Sequence, residues 1–323
     1  MPIPSSDASL PPTDQASSPQ PGTMAGKVST SKNLLFLFMV IVSVIIFWPP
    51  LATVVDYALR EGQHQYDKYS HIILIPFVSL GLLLWDRKKI FARVQYGYRI
   101  GTVLLLAGLV VNVAAVWFQD QLGADNSLSL RVLGLVVFCL GAFVLCYGAP
   151  AFRAGVFPLL FLLMAVPIPD PLLDVPLSAV RYGSTQMSAL IFTLSGVPYL
   201  QNGYAFSLPS ITIEVAKECS GIHSTLALFI VSLVAGYLFL ASPVRRVLLV
   251  LFVLPVVCIT NGLRIAGLTL LSVYVDPRFM HSTLHRDGGI GFFLLALLLL
   301  FGLLRLVGRR QRGQASRRDV AVE

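Results

Sequence analysis

Residues 246–273 read RVLLVLFVLPVVCITNGLRIAGLTLLSV. The run holds no Asp, Glu or Lys, and its only charges are Arg246 at one end and Arg264 inside. A helix needs about 20 apolar residues to cross a bilayer, and this run exceeds that. In hydrocarbon the backbone must satisfy its own polar groups, so the run reads as a membrane helix. Seven more apolar runs flank it: 33–55, 71–86, 100–118, 130–148, 152–168, 219–241 and 287–307. The sequence therefore predicts an all-α polytopic membrane protein with about eight transmembrane helices, and no inverted repeat of the transporter kind.

Composition agrees. Of 323 residues, 56% are hydrophobic and only 12% charged, where soluble domains carry about 25% charged residues. Mean hydropathy is +0.77. A soluble enzyme, a disulfide scaffold and a disordered chain are excluded together. The net charge of +8 does not point to nucleic acid, because the cations lie beside apolar runs. Arg87, Lys88, Lys89, Arg93 and Arg99 fill one short loop, and Arg305, Arg309, Arg310, Arg312, Arg317 and Arg318 close the chain. This is the positive-inside pattern of a cytoplasmic (inner) membrane protein, with membrane lipid as its surroundings.

The charges also set an expected topology. The basic loop at 86–99, the pair Arg245 and Arg246, and both termini fall inside. The loops at 56–70 and 119–129, with Asp56, Glu61, Asp67, Asp120 and Asp125, fall outside. An even number of crossings satisfies this. The domains expected are a disordered cytoplasmic tail over 1–30, a transmembrane domain over 31–307 and a basic cytoplasmic tail over 308–323. The run from Leu34 reads as a signal anchor, not a cleavable leader.

With 152–168 counted as a crossing, residues 169–218 begin and end outside. Leu172, Leu173, Val175, Leu177, Val180 and Met187, interleaved with Asp174, Arg181, Gln186 and Ser188, predict an amphipathic helix at the interface or across the bundle mouth. Pro176 suits its first turn. Tyr204–Leu208 and Ile211–Val215 predict a β-hairpin about Pro209 and Ser210. This outer apparatus leads into Glu218-Cys219-Ser220-Gly221.

Three residues there are unusual for a bilayer. Cys139, Cys146 and Cys258 lie in apolar runs as small hydrophobes, but Cys219 has polar neighbours at the expected start of a helix. The helix dipole favours thiolate at that place, and thiolate is the nucleophilic form. Arg264 is costly inside a span and calls for a partner: a thiolate, an oxyanion or a substrate carboxylate, unless it snorkels to the interface. His285, in the outer loop before the last span, suits acid–base work. His281 is the alternative base, and with His285 it makes an i, i+4 pair, but no third metal ligand stands out. His223, Glu218 and His71 are supporting candidates: His223 one turn below Cys219, Glu218 beside it, and His71 at the outer start of the second span. A thiol, a base and a fixed cation from three segments of one face form a candidate acyl-transfer site without cofactor.

Ala216-Lys217-Glu218-Cys219-Ser220-Gly221-Ile222, then Asn261-Gly262-Leu263-Arg264-Ile265, then His285 four residues before Gly289, resemble the three signature blocks of the exosortases and archaeosortases. Pro167-Ile168-Pro169-Asp170, Gly203 through Val215, and Tyr69-Ser70-His71 resemble further landmarks of that family, over roughly residues 50–305. The resemblance implies a membrane cysteine protease or transpeptidase. Its substrates would be exported proteins with a C-terminal Pro-Glu-Pro motif, a membrane helix and a basic cluster (the PEP-CTERM tail), associated with exopolysaccharide. It implies Cys219 as nucleophile, Arg264 as stabilising cation and His285 as acid–base, with Ser220 and Asn261 in the supporting blocks. His223 stands where many members have Arg, and Ile72 where many have Gly. The rival class is a transporter or export channel using an intramembrane Arg. A plain protease, with water as acceptor, shares every residue with the transpeptidase.

Overall fold

The computed structural model describes residues 30–59, 69, 71–215, 222–276 and 289–320. Among them the chain is a helical bundle with one small sheet. In order the helices are α1 (Thr30–Ile46), α2 (Trp48–Leu59), α3 (Leu74–Trp85), α4 (Arg87–Ile90), α5 (Tyr98–Trp117), α6 (Gln119–Leu122), α7 (Ala124–Ala154), α8 (Val156–Phe161), α9 (Asp170–Leu194), α10 (Ile222–Phe239), α11 (Pro243–Leu251), α12 (Val253–Tyr274) and α13 (Gly289–Val320). A 3₁₀ turn, Leu162–Ala165, extends α8.

Among the described residues, four helical stretches are long and apolar enough to cross a membrane: Tyr98–Trp117, Ala124–Ala154, Pro243–Tyr274 and Ile290–Gly308. The pair α1 and α2 makes a fifth if its 74° bend counts as one span. Pro49 and Pro50 explain that bend, since they fit the first turn of a new helix and cannot continue an old one. The other three expected crossings are shorter apolar helices, at Leu74–Trp85, Val156–Ala165 and Ser224–Phe239. Each expected apolar run is thus a helix, but length and composition support four to five spans rather than eight.

The tightest helix pair is α5 against α7. A Cβ on Gly108 would stand 2.5 Å from the Gly134 carbonyl oxygen, and one on Gly134 would stand 2.7 Å from that of Gly108. Small residues let two backbones approach where lipid offers no hydrophobic drive. Nearer its C-terminus α7 is broken at Gly148, which has φ 83°. The carbonyls released beside the break, those of Tyr147 and Leu145, accept from the Gln95 and Gly97 amides.

The basic segments gather at this end. Lys32 lies 4.3 Å from the Tyr96 ring centroid, and Tyr147 donates to Asn33 Oδ1 at 2.9 Å. On α10, Tyr237 donates to Asp86, stacks on Phe157 and lies under the Arg246 guanidinium. The start of α1, the 86–97 loop and the start of α11 therefore share one end of the bundle, as the charge pattern predicts. The expected tail over 1–30 lies almost wholly outside the described residues. At the other terminus, helix α13 continues to Val320, past the expected end of the transmembrane domain at 307.

Helix α9 corrects one expectation. It begins at Asp170, with Pro171 in its first turn, and takes Pro176 into its interior. It packs lengthwise and parallel against α12: Gly183 meets Cys258, Met187 meets Gly262, and Ala189 and Phe192 cluster with Ala266. The expected hairpin is present as β2 (Ala205–Ser207) and β3 (Thr212–Glu214), antiparallel, with Phe206 opposite Ile213. A strand not foreseen, β1 (Leu200–Asn202), adds to β2 across a turn in which Gly203 takes φ 58°. Phe206, Leu208, Ile213 and Val215 bury the inner face of the sheet against Ala189, Phe192 and Ala266. The sheet thus rides on the C-terminal halves of α9 and α12.

Candidate active site

Arg264 lies ten residues before the last residue of α12, about 15 Å along the helix. It is half-buried. Among the described residues it forms no hydrogen bond and no ion pair. Instead it opens on a cavity of about 20 Å³, enough for about one water, which Ser224, Thr260, Asn261, Phe292 and Phe293 also line. Ser224 is in the first turn of α10 and Phe292 in the first turn of α13. Three helices therefore converge on the guanidinium. Tyr237, at the basic end, is 13 residues from Ser224 on α10, about 20 Å away along the helix.

Asn261 is buried, one turn before Arg264 on the same stripe of α12. Its Nδ2 donates to Ser184 Oγ at 3.0 Å. Ser188, one turn further along α9, donates to the Gly262 carbonyl at 3.2 Å. The approach needs Gly262, since a Cβ there would stand 2.6 Å from Met187 Cβ and 3.0 Å from the Ser184 carbonyl oxygen. The Asn261-Gly262-Leu263-Arg264 block is thus held to α9 by two serines that are themselves fully buried.

Other expected residues fall differently. Glu218, Cys219, Ser220, His281 and His285 lie outside the described residues. His223 belongs to the first turn of α10. His71 is half-buried in the turn before α3, where its carbonyl accepts from the Leu74 amide at 3.1 Å. Its neighbours Tyr69 and Ile72 pack with Val54 and Leu128, and His71 is not among the residues lining the Arg264 cavity.

A family model described as transmembrane exosortase matches residues 64–302. The chain belongs to the transmembrane exosortase family. The match takes in every candidate residue named above, and it leaves α1 and α2 outside. No curated protein and no solved structure matches the chain. The contact that the sequence does not reveal is the serine seam on α9, which holds the Asn261-Gly262 block. Ser184 and Ser188 sit at i, i+4 beside Gly183, a small-residue pattern that signals close helix packing. In the sequence Ser188 reads only as part of the polar face of an amphipathic helix, and Ser184 does not stand out.

Proposed function

We propose that the chain is a membrane-embedded cysteine transpeptidase that cleaves C-terminal sorting tails of exported proteins, with Cys219 as nucleophile, Arg264 as stabilising cation and His285 as acid–base. One observation carries the reading. Arg264, deep in an apolar helix and without a partner among the described residues, faces a cavity lined from the first turns of α10 and α13. Those helices directly follow the segments that hold Cys219 and His285 in the sequence. An arginine kept unpaired in apolar surroundings is costly, and a transient anion there offsets the cost.

The chemistry follows. The Cys219 thiolate attacks the carbonyl carbon beside the Pro-Glu-Pro motif, and Arg264 stabilises the oxyanion or the motif glutamate. The C–N bond breaks, the leaving amine takes a proton from His285, and a thioester remains. An acceptor amine, or water, gives a proton to His285 and attacks the thioester, releasing the thiolate. The tail helix reaches the site laterally from the membrane, and the site faces the outside of the cell. The transporter reading would need an acidic partner for Arg264 along a path, and none is present among the described residues.

The test is co-expression with a reporter carrying a Pro-Glu-Pro tail. Wild type should shorten the reporter, and Cys219→Ala and Cys219→Ser should not, at equal membrane abundance. Processing by Cys219→Ala would exclude Cys219 as nucleophile. Added amines that become joined to the product would separate transfer from hydrolysis.

A further inference from the structure

Arg181 is the one cation of α9, and its guanidinium makes three contacts with the sheet. Its Nε donates to the Val215 carbonyl at 2.6 Å. Its terminal nitrogen pairs with Glu214 at 3.2 Å. Its plane lies over the Tyr204 ring, 3.9 Å from the centroid. Val215 is 1% exposed, and its amide donates to the Tyr204 carbonyl at 3.0 Å. Both backbone groups of this residue, which directly follows β3, are therefore used, one by Tyr204 and one by Arg181.

The three contacts differ in weight. Glu214 is 68% exposed in its side chain, so that ion pair contributes little. The bond to the buried Val215 carbonyl is charge-assisted and short, and removing the donor leaves an acceptor unsatisfied. Only a planar fork can donate to a carbonyl, pair with a carboxylate and stack on a ring at once, which lysine cannot do.

On α9, Ser184 and Ser188 follow Arg181 at i+3 and i+7, on one stripe of the helix. Those serines hold Asn261 and Gly262. One helix face thus grips both Val215, just past β3 and four residues before Cys219, and the signature block that carries Arg264. We infer that Arg181 is a positioning residue, which fixes the strand leading to Cys219 against the Arg264 helix through the Val215 carbonyl. The inference rests on the proposed function for its catalytic consequence only. Four residues span at most about 14 Å, so the carbonyl that Arg181 holds sets where the nucleophile's segment begins.

The test uses the full chain in detergent, with Cys139, Cys146 and Cys258 replaced by Ser so that Cys219 is the only thiol. Arg181→Met should change the rate of Cys219 alkylation by a maleimide several-fold, and Glu214→Gln should leave it within twofold. With a Pro-Glu-Pro tail peptide, Arg181→Met should lower kcat tenfold or more at a KM within threefold, and Arg181→Lys should restore part of the loss. Unchanged alkylation and kcat in folded Arg181→Met would overturn the inference, as would an equal effect of Glu214→Gln or a change in KM alone. If Arg181→Met does not fold, Arg181→Lys decides by the same readouts, with an intermediate alkylation rate expected and a wild-type one fatal. If the wild type processes no tail, the proposed function fails, and alkylation alone still decides whether Arg181 positions the thiol.

Discussion

At the scale of single residues, Arg264 and Gly262 make different demands. In the proposed function an anion meets Arg264 at its cavity, and guanidinium geometry matters if that anion is bound by two nitrogens. Arg264→Met is expected to abolish tail processing, and Arg264→Lys to retain a small fraction, at wild-type abundance in the membrane. Processing by Arg264→Lys at the full rate would exclude the two-nitrogen contact. Gly262→Ala acts through packing instead. Its Cβ would meet Met187 and the Ser184 carbonyl at 2.6 and 3.0 Å. It should push α9 from α12 and destabilise the fold by about 1–3 kcal/mol, seen as a lower thermal midpoint in detergent. Arg264 was legible in the sequence because an arginine in an apolar run is an anomaly visible without coordinates. Ser184, Ser188 and the Val215 clamp were not, because nothing local in a sequence says which partner a serine or arginine on a helix face will meet.

At the scale of elements, the sequence marks apolarity well and geometry poorly. The hairpin was legible because alternation and a Pro-Ser turn are local signals. Strand β1 was not, since Leu200–Asn202 is too short to show a period. The start of α9 was misplaced because Pro171 and Pro176 both suit a first turn, and only packing decides between them. Helix α7 carries a sharper case. Gly148 combines φ 83° with the backbone of Gln95 close against it. A Cβ there meets strain and a clash together. Gly148→Ala is therefore expected to lower the thermal midpoint more than Ala142→Gly, a mid-helix change on the same element that costs about 1 kcal/mol. An equal shift for the two would show that the break in α7 tolerates side chains.

At the scale of the whole molecule, the contacts joining Lys32, Tyr96, Asp86, Tyr237 and Arg246 put the basic segments at one end, and the charge rule assigns that end to the cytoplasm. Single cysteines in a background free of the native ones test this. Ser31→Cys and Lys88→Cys should react with an impermeant maleimide only after cells are opened, and Thr212→Cys in intact cells. The same experiment settles which segment carries the chain outward before the sheet. Counting 152–168 as a full crossing puts all of 169–218 outside. Yet the helix in that run, Val156–Ala165, is short, whereas α9 has 25 residues and runs parallel with α12, a helix of a candidate span. Exchanging one crossing for the other leaves their number even, so the charges cannot choose between them. The packing can. From Gly183, which meets Cys258, Asp174 lies nine residues back, about 14 Å toward the basic end. Asp174→Cys is therefore expected to resist the reagent in intact cells under conditions that label Thr212→Cys. Equal labelling of the two would return the crossing to 152–168 and leave α9 on the outer face.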